Sequence, residues 1–492
     1  MNLKSFGKNT IWYFAGSVCI RLAGFALIPL YTRSLSMAEY GVLCTLLVTI
    51  QMMTLLMGMA TDKGFLRFAS ECEARNSLGM LLGSTLVLNC AGALLVSAMS
   101  VSVLLPIFSR ILRSPHVFSY VALACLVAVF QALFDRTVVY YRAKHLGFKF
   151  LVVNMPVLLM LLAMNILFLQ VLKQGVQGAL LAQVLSYGCV WLVAFVMVTG
   201  KTGFGFSSDL MGRLMRFSLP LLVALAAALS LDLSAVYILG YFSGHEKVAL
   251  YSLGYKIAQM CVMAVILPFQ LAYEPFVYGN IDHPEIKTMI SKFLTYLMLT
   301  YTIAAVTVAF LARLLLSVMA PPEYHQAYRV TLLLLLPMGF IGVYYVAESL
   351  LGIGQRTGFV AAVIVFCTLL ALPLYYILIP AWGIYGAVAV FNIVWMLMGV
   401  VLMVAGHRVF PVRLEARRLG MIGIVFVSLL VVVFVLFRTE PYLYYTLIPM
   451  AIGMAFFLLY AGRFADEVER SFIKGLVQTI RLRMMGRPVE MD

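Results

Sequence analysis

Apolar residues run along this chain in blocks of about 20 or more, the length an α-helix needs to cross the hydrocarbon core of a bilayer. About fourteen such blocks are predicted, at roughly 10–32, 40–60, 79–107, 117–140, 148–172, 176–199, 214–242, 250–276, 290–320, 328–353, 358–380, 383–405, 416–437 and 441–462. The third and ninth are long enough to include tilt or an interfacial turn. Short polar loops join them, and none has room for a soluble domain. The pattern predicts an all-α membrane protein. After Arg463, Phe464, Val468, Phe472, Leu476 and Ile480 recur at helical period beside Arg470, Lys474, Arg481 and Arg483. That predicts a basic amphipathic helix lying on the cytoplasmic leaflet, with partner binding as the other reading.

Composition agrees with the blocks. The chain is 63% hydrophobic and 11% charged, where a soluble domain carries about a quarter charged residues. Its net charge of +15 is not a nucleic-acid signature, because the basic residues sit in short loops rather than on one soluble face. They follow topology instead. With Lys4 and Lys8 inside, about 25 Lys and Arg fall in inside segments and about eight outside, which puts both termini in the cytoplasm and favours an even number of spans. The first run is too long for a signal-peptide core and is interrupted by Arg21.

Two stretches echo each other at an offset of about 208 residues, the length of six spans. Gly175-Val-Gln-Gly178-Ala179 and Gly383-Ile-Tyr-Gly386-Ala387 each open an apolar block. An even number of spans per copy makes the repeats parallel, related by an axis along the membrane normal. The expected organisation is an N-lobe at 1–200, a C-lobe at 201–407, an extra helix pair at 408–462 and the basic tail at 463–492. Two such bundles enclose a cleft that opens to either side as one rocks against the other.

Chemistry-bearing residues are sparse. The eight cysteines show no paired spacing and the six histidines form no metal-like pair, so neither a disulfide framework nor a metal site is expected. No phosphate-binding loop or nucleophile elbow occurs, and the chain does not read as an enzyme. What stands out is charge at membrane depth. Arg21 lies mid-span with Tyr13, Ser17 and Gly24 on its helical face, and Lys256 lies in the eighth span with Ser252 and Gln259. Cations on opposite walls of a cavity suit an anionic substrate such as a diphosphate; pairing with a neighbouring helix, or snorkelling for Lys256, is the structural alternative. Asp232 and Glu348 are candidates for coupling to H⁺ or Na⁺, or equally for neutralising those cations. Asp62 with Arg67, Asp135 with Arg136, and Glu274 read as gate or loop charges. Pro29, Pro156, Pro220, Pro268, Pro337 and Pro373 predict kinks.

Three segments carry a family likeness: Arg33-Ser-Leu-Ser-Met-Ala-Glu39-Tyr40-Gly41, Glu246-Lys-Val-Ala-Leu-Tyr251-Ser252-Leu-Gly-Tyr255-Lys256 and Ile379-Pro380-Ala-Trp-Gly383-Ile-Tyr-Gly386-Ala387. Through them the whole chain resembles the Wzx-type polysaccharide flippases of the multidrug/oligosaccharidyl-lipid/polysaccharide (MOP) exporter superfamily. The resemblance implies a MATE-like pair of six-helix lobes around a cationic cavity and a lipid-linked oligosaccharide as substrate, carried on undecaprenyl diphosphate for cell-surface (lipopolysaccharide) biosynthesis. It implies no cofactor and no nucleic acid, with membrane lipids and polysaccharide polymerase machinery as the surroundings in which contacts are to be sought. The alternative is an ion-coupled multidrug or small-molecule exporter of the same superfamily. The chain departs from the pattern at Asp232-Leu233, where relatives often have Asp-Arg, and at Ala249, where Gly is usual.

Overall fold

The structure is a computed structural model that describes residues 24–112, 115–436 and Gly453. Ser17, Arg21, most of the last predicted span and the basic tail lie outside those residues. Every element among the described residues is helical: α1 Ile28–Ser34, α2 Met37–Gly58, α3 Thr61–Ala74, α4 Leu78–Met99, α5 Leu105–Leu112, α6 Val117–Ala143, α7 Gly147–Ile166, α8 Gly175–Thr202, α9 Ser208–Ser243, α10 His245–Cys261, α11 Leu267–Gly279, α12 Ile286–Met319, α13 Ala327–Ile353, α14 Thr357–Trp382, α15 Ile384–Val409 and α16 Ala416–Leu436, with short π and 3₁₀ turns between some of them. Twelve helical stretches among the described residues are long and apolar enough to cross a membrane. They match the second to thirteenth predicted spans in order.

Local chemistry sets the ends and breaks. Ser36 and Glu39 form a capping box at the start of α2: Glu39 N–H donates to Ser36 Oγ at 3.3 Å, and Ser36 N–H donates to Glu39 Oε2 at 2.9 Å. Two of the four orphan donors of that helix start are thereby satisfied. At the other end of α2, Met59 and Ala60 both adopt positive φ, at 49° and 52°. Two consecutive left-handed residues cannot continue an α-helix, so the chain breaks there and α3 leaves at a new angle. Its face of Phe65, Ala69 and Cys72 is buried while Lys63 and Arg67 are exposed.

Two predicted irregularities take the form of π-turns. Val262–Ile266 ends two residues before Pro268, and Ser100–Leu104 ends two residues before Pro106. Proline removes an amide donor and crowds the preceding turn, and a wider turn accommodates both. The second of these also resolves the long third block into α4, a π-turn and the short α5.

Helices α2 to α8 pack mainly among themselves, as do α9 to α15, and the two sets meet where α2 lies along α9 and α10. The sequence echo has a conformational counterpart: Gly175, the first residue of α8, and Gly383, immediately before α15, have φ of +57° and +56°, a region glycine enters without steric cost. Helix α16 lies against α12 and α13, with Phe426 edge-on to Tyr301, centroids 6.2 Å apart. Outward-facing side chains are apolar, as at Leu94, 75% exposed, and Ile424, 70% exposed. Such a surface fits hydrocarbon rather than water.

Candidate functional site

A cavity of about 370 Å³ lies where the two sets of helices meet. The first set contributes Tyr31 from α1, Gln51 from α2, Gln131 from α6, and Gln183 with Tyr187 from α8. The second contributes Asp232 from α9 and Tyr251, Ser252, Tyr255, Lys256 and Gln259 from α10. Helical spacing explains the α10 group: 252, 255, 256 and 259 recur at three and four residues and so share one face.

Lys256 reaches across the seam. Its Nζ donates to the Tyr40 hydroxyl at 3.5 Å and stands 5.6 Å from the Tyr40 ring centroid. Tyr40 is fully buried and packs edge-on against Tyr324, centroids 5.8 Å apart. The ammonium is therefore held by a hydroxyl and a ring face, partners that leave its charge unneutralised. Asp232 accepts a hydrogen bond from the Tyr255 hydroxyl at 3.4 Å. Among the described residues, no ion pair links Asp232 to Lys256.

The end of the molecule at which α2 begins is closed by contacts across the seam. Thr32 Oγ1 donates to the Met319 carbonyl at 2.7 Å, and an Arg33 guanidinium nitrogen donates to the Val318 carbonyl at 3.1 Å. A Cβ on Gly41 would overlap the His245 carbonyl, so only glycine lets α2 and α10 approach so closely there. Deeper in, Thr49 and Tyr237 share a hydrogen bond of 2.7 Å. At the opposite, basic end the two sets meet through α9, which leans on α3 and α4.

The remaining candidates from the sequence are distributed as follows. Lys256, Gln259 and Asp232 come together in the cavity, and Gly24, three residues beyond Arg21, also lines it. Arg21 and Ser17 lie outside the described residues, so the charged groups of the described lining are one cation and one carboxylate rather than an excess of cations. Glu348 and Glu274 do not line the cavity. They lie within electrostatic reach of each other on α13 and α11, with Tyr344 beside Glu348 and Gln270 donating to Glu274 at 2.8 Å. Asp62 does not pair with Arg67. Its partner is Arg136 of α6, at 3.6 Å, while Arg67 lies 4.9 Å from the Phe217 ring centroid. Arg67 follows Asp62 by five positions, a spacing that places the two on different faces of α3.

Sequence reasoning passed over Gln51, Gln131 and Gln183. The signal was present: each is an uncharged polar residue inside an apolar block, a placement that costs free energy in lipid and so points inward. Single amides were outweighed by the rarer charges.

Comparison with known proteins identifies the fold and the family. The structure of "Lipid II flippase MurJ, inward closed conformation" superposes with a TM-score of 0.72 at 11% identity, covering 94% of this chain and 99% of that one. An inward-facing multidrug resistance MATE family transporter of the MOP superfamily gives 0.65 at 14% identity, covering 82% and 94%. The outward-facing conformation of such a transporter gives 0.58 at 15%, covering 82% and 95%. At these identities the likeness is one of fold. No curated protein matches the chain. The family model described as polysaccharide biosynthesis protein matches residues 6–277, more than half of the chain. The fold is the one shared with the MATE and MurJ structures, and the family match runs over more than half of the residues: the chain belongs to the polysaccharide biosynthesis protein family.

Proposed function

We propose that this protein is a flippase that carries an undecaprenyl-diphosphate-linked oligosaccharide from the cytoplasmic to the outer leaflet of the bacterial inner membrane, by alternating access of lobes 1–200 and 201–407. The observation that carries this reading is the lining of the seam cavity. Amides and phenols from both sides offer donors and acceptors to sugar hydroxyls, and Lys256 offers an unneutralised cation to a diphosphate. Gly24 lines the cavity, and Arg21, three positions before it in the sequence, is the second cation that this reading calls for. The basic end faces the cytoplasm on this reading, as the Lys and Arg bias requires. Seam contacts close the other end, which agrees with an inward-facing state.

The test is surface polysaccharide in cells that depend on this gene. Arg21→Ala and Lys256→Ala are expected to abolish export while membrane abundance stays near normal. Wild-type polysaccharide in both variants would count decisively against the reading.

Asp232 supports a second element, coupling to H⁺ or Na⁺, because a carboxylate in a cavity shared with a cation exchanges its charge state as substrate enters. The same residue favours the alternative of an ion-coupled exporter of small cationic molecules. Gain of resistance to cationic dyes, lost in Asp232→Asn, is the result that selects that alternative.

A further inference from the structure

A second cleft lies outside the cavity, between α3 and the first turns of α9 at the basic end. It measures about 620 Å³ and is lined by Arg67 and Phe68 of α3 and by Arg213, Arg216 and Phe217 of α9, with Ser208, Asp209 and Gly212 completing the rim. The two phenylalanines meet edge to face, centroids 6.2 Å apart. Each carries an arginine: Arg67 lies 4.9 Å from the Phe217 centroid, and Arg213 lies 4.7 Å from the Phe68 centroid.

The charges in this cleft are not equivalent. Arg213 is matched by a two-pronged bond to Glu71, at 2.6 and 3.2 Å, and Asp209 stands one turn before it on the same helix. Arg67 and Arg216 are exposed, and among the described residues no carboxylate bridges either one. Two cations are thus left over at one mouth, above an aromatic floor. Below them α9 presents Met215, Leu219 and Val223 to the outside, at helical spacing from Gly212 and Arg216. One exposed stripe therefore passes from guanidinium to pure hydrocarbon within about two turns, the distance from headgroup to acyl chain.

We propose that this cleft seats an anionic phospholipid, its phosphodiester between Arg67 and Arg216 and its acyl chain along Leu219 and Val223. Guanidinium suits the phosphate because it donates in a planar fork and loses little hydration on binding. The seat spans both sets of helices, Arg67 on the first and Arg216 on the second, so an occupying lipid bridges the seam at the end where α9 leans on α3 and α4. The site is separate from the cavity, and its test does not depend on what the cavity carries.

Native mass spectrometry of the purified full-length protein, titrated with phosphatidylglycerol or phosphatidylcholine of equal chain length, reads the site directly. Phosphatidylglycerol is expected to be retained preferentially, and Arg67→Gln/Arg216→Gln to weaken its binding about 30-fold, at about tenfold or less for either single variant. Arg356→Gln/Arg413→Gln, at the same end but away from the cleft, is expected to leave it unchanged. Equal retention of the two lipids, or a preference that survives the double variant, overturns the proposal. Displacement by inorganic phosphate irrespective of acyl-chain length assigns the site to a free anion and overturns the lipid. Because both arginines are exposed, the double variant is expected to elute as wild type; if it does not, the single Arg216→Gln variant supplies the same comparison.

Discussion

The guanidinium of Arg136 occupies the space that a side chain on Gly58 would need: a Cβ built there overlaps Arg136 Nη2. Arg136 is only 6% exposed and is matched by Asp62, at 3.6 Å. Gly58 is the last residue of α2, immediately before the left-handed pair Met59 and Ala60. The buried cation, the glycine and the break in the helix thus form one unit. Gly58→Ala is expected to destabilise the fold by about 1–3 kcal/mol, the usual cost of overpacking. Adding Arg136→Ala removes the overlap, so the two costs are expected to be less than additive. Thermal unfolding of the detergent-solubilised single and double variants checks this, and strict additivity would refute the unit.

The Lys256 ammonium and the Tyr40 hydroxyl join α10 to α2 across the seam. Tyr40→Phe keeps the ring and removes one long hydrogen bond, an effect on stability of about 0.5–1.5 kcal/mol at most. Lys256→Ala removes the charge. Export is therefore expected to fall far more in Lys256→Ala than in Tyr40→Phe at matched abundance, measured as surface polysaccharide. Equal loss in the two variants would assign Lys256 to packing.

Ser36 and Glu39 hold the first turn of α2 through a reciprocal pair of bonds. Ser36→Ala is expected to lower stability by about 1 kcal/mol. Glu39→Gln retains an acceptor oxygen and is expected to cost less than Glu39→Ala. Midpoints of thermal unfolding rank the three variants, and an export defect in Glu39→Gln without loss of stability would give this glutamate a role beyond capping.

Thr49 on α2 and Tyr237 on α9 share a hydrogen bond of 2.7 Å across the seam. On the proposed alternating-access cycle the two sets of helices separate here, and tethering them arrests it. In a cysteine-free variant, Thr49→Cys/Tyr237→Cys joined through disulfides by a short bis-methanethiosulfonate cross-linker is expected to stop export, and reduction to restore it. Full export with the tether intact would exclude opening at this point of the seam.

Much of the architecture was legible along the chain because a bilayer imposes a simple demand: a segment that crosses it must be apolar for about 20 residues and must satisfy its own backbone hydrogen bonds. Blocks 40–60 to 416–437 therefore match the helices of the structure in order. The glycines at 175 and 383 were equally legible, because a left-handed residue at a helix start favours one residue type. Lys256, Gln259 and Asp232 were singled out by polarity at depth, and they share a cavity for the same reason.

Partnership was decided only in three dimensions. Asp62 has Arg67 nearby in sequence, yet it pairs with Arg136, more than 70 positions away, because the break at Met59-Ala60 turns α3 and sets which face meets α6. The same turn lays Arg67 on Phe217 and creates the cleft with α9. Hydrophobic spacing fixes which residues leave water, since that depends on each helix taken alone; which of them meet depends on the angle and depth at which separate helices pack, and no local pattern encodes that.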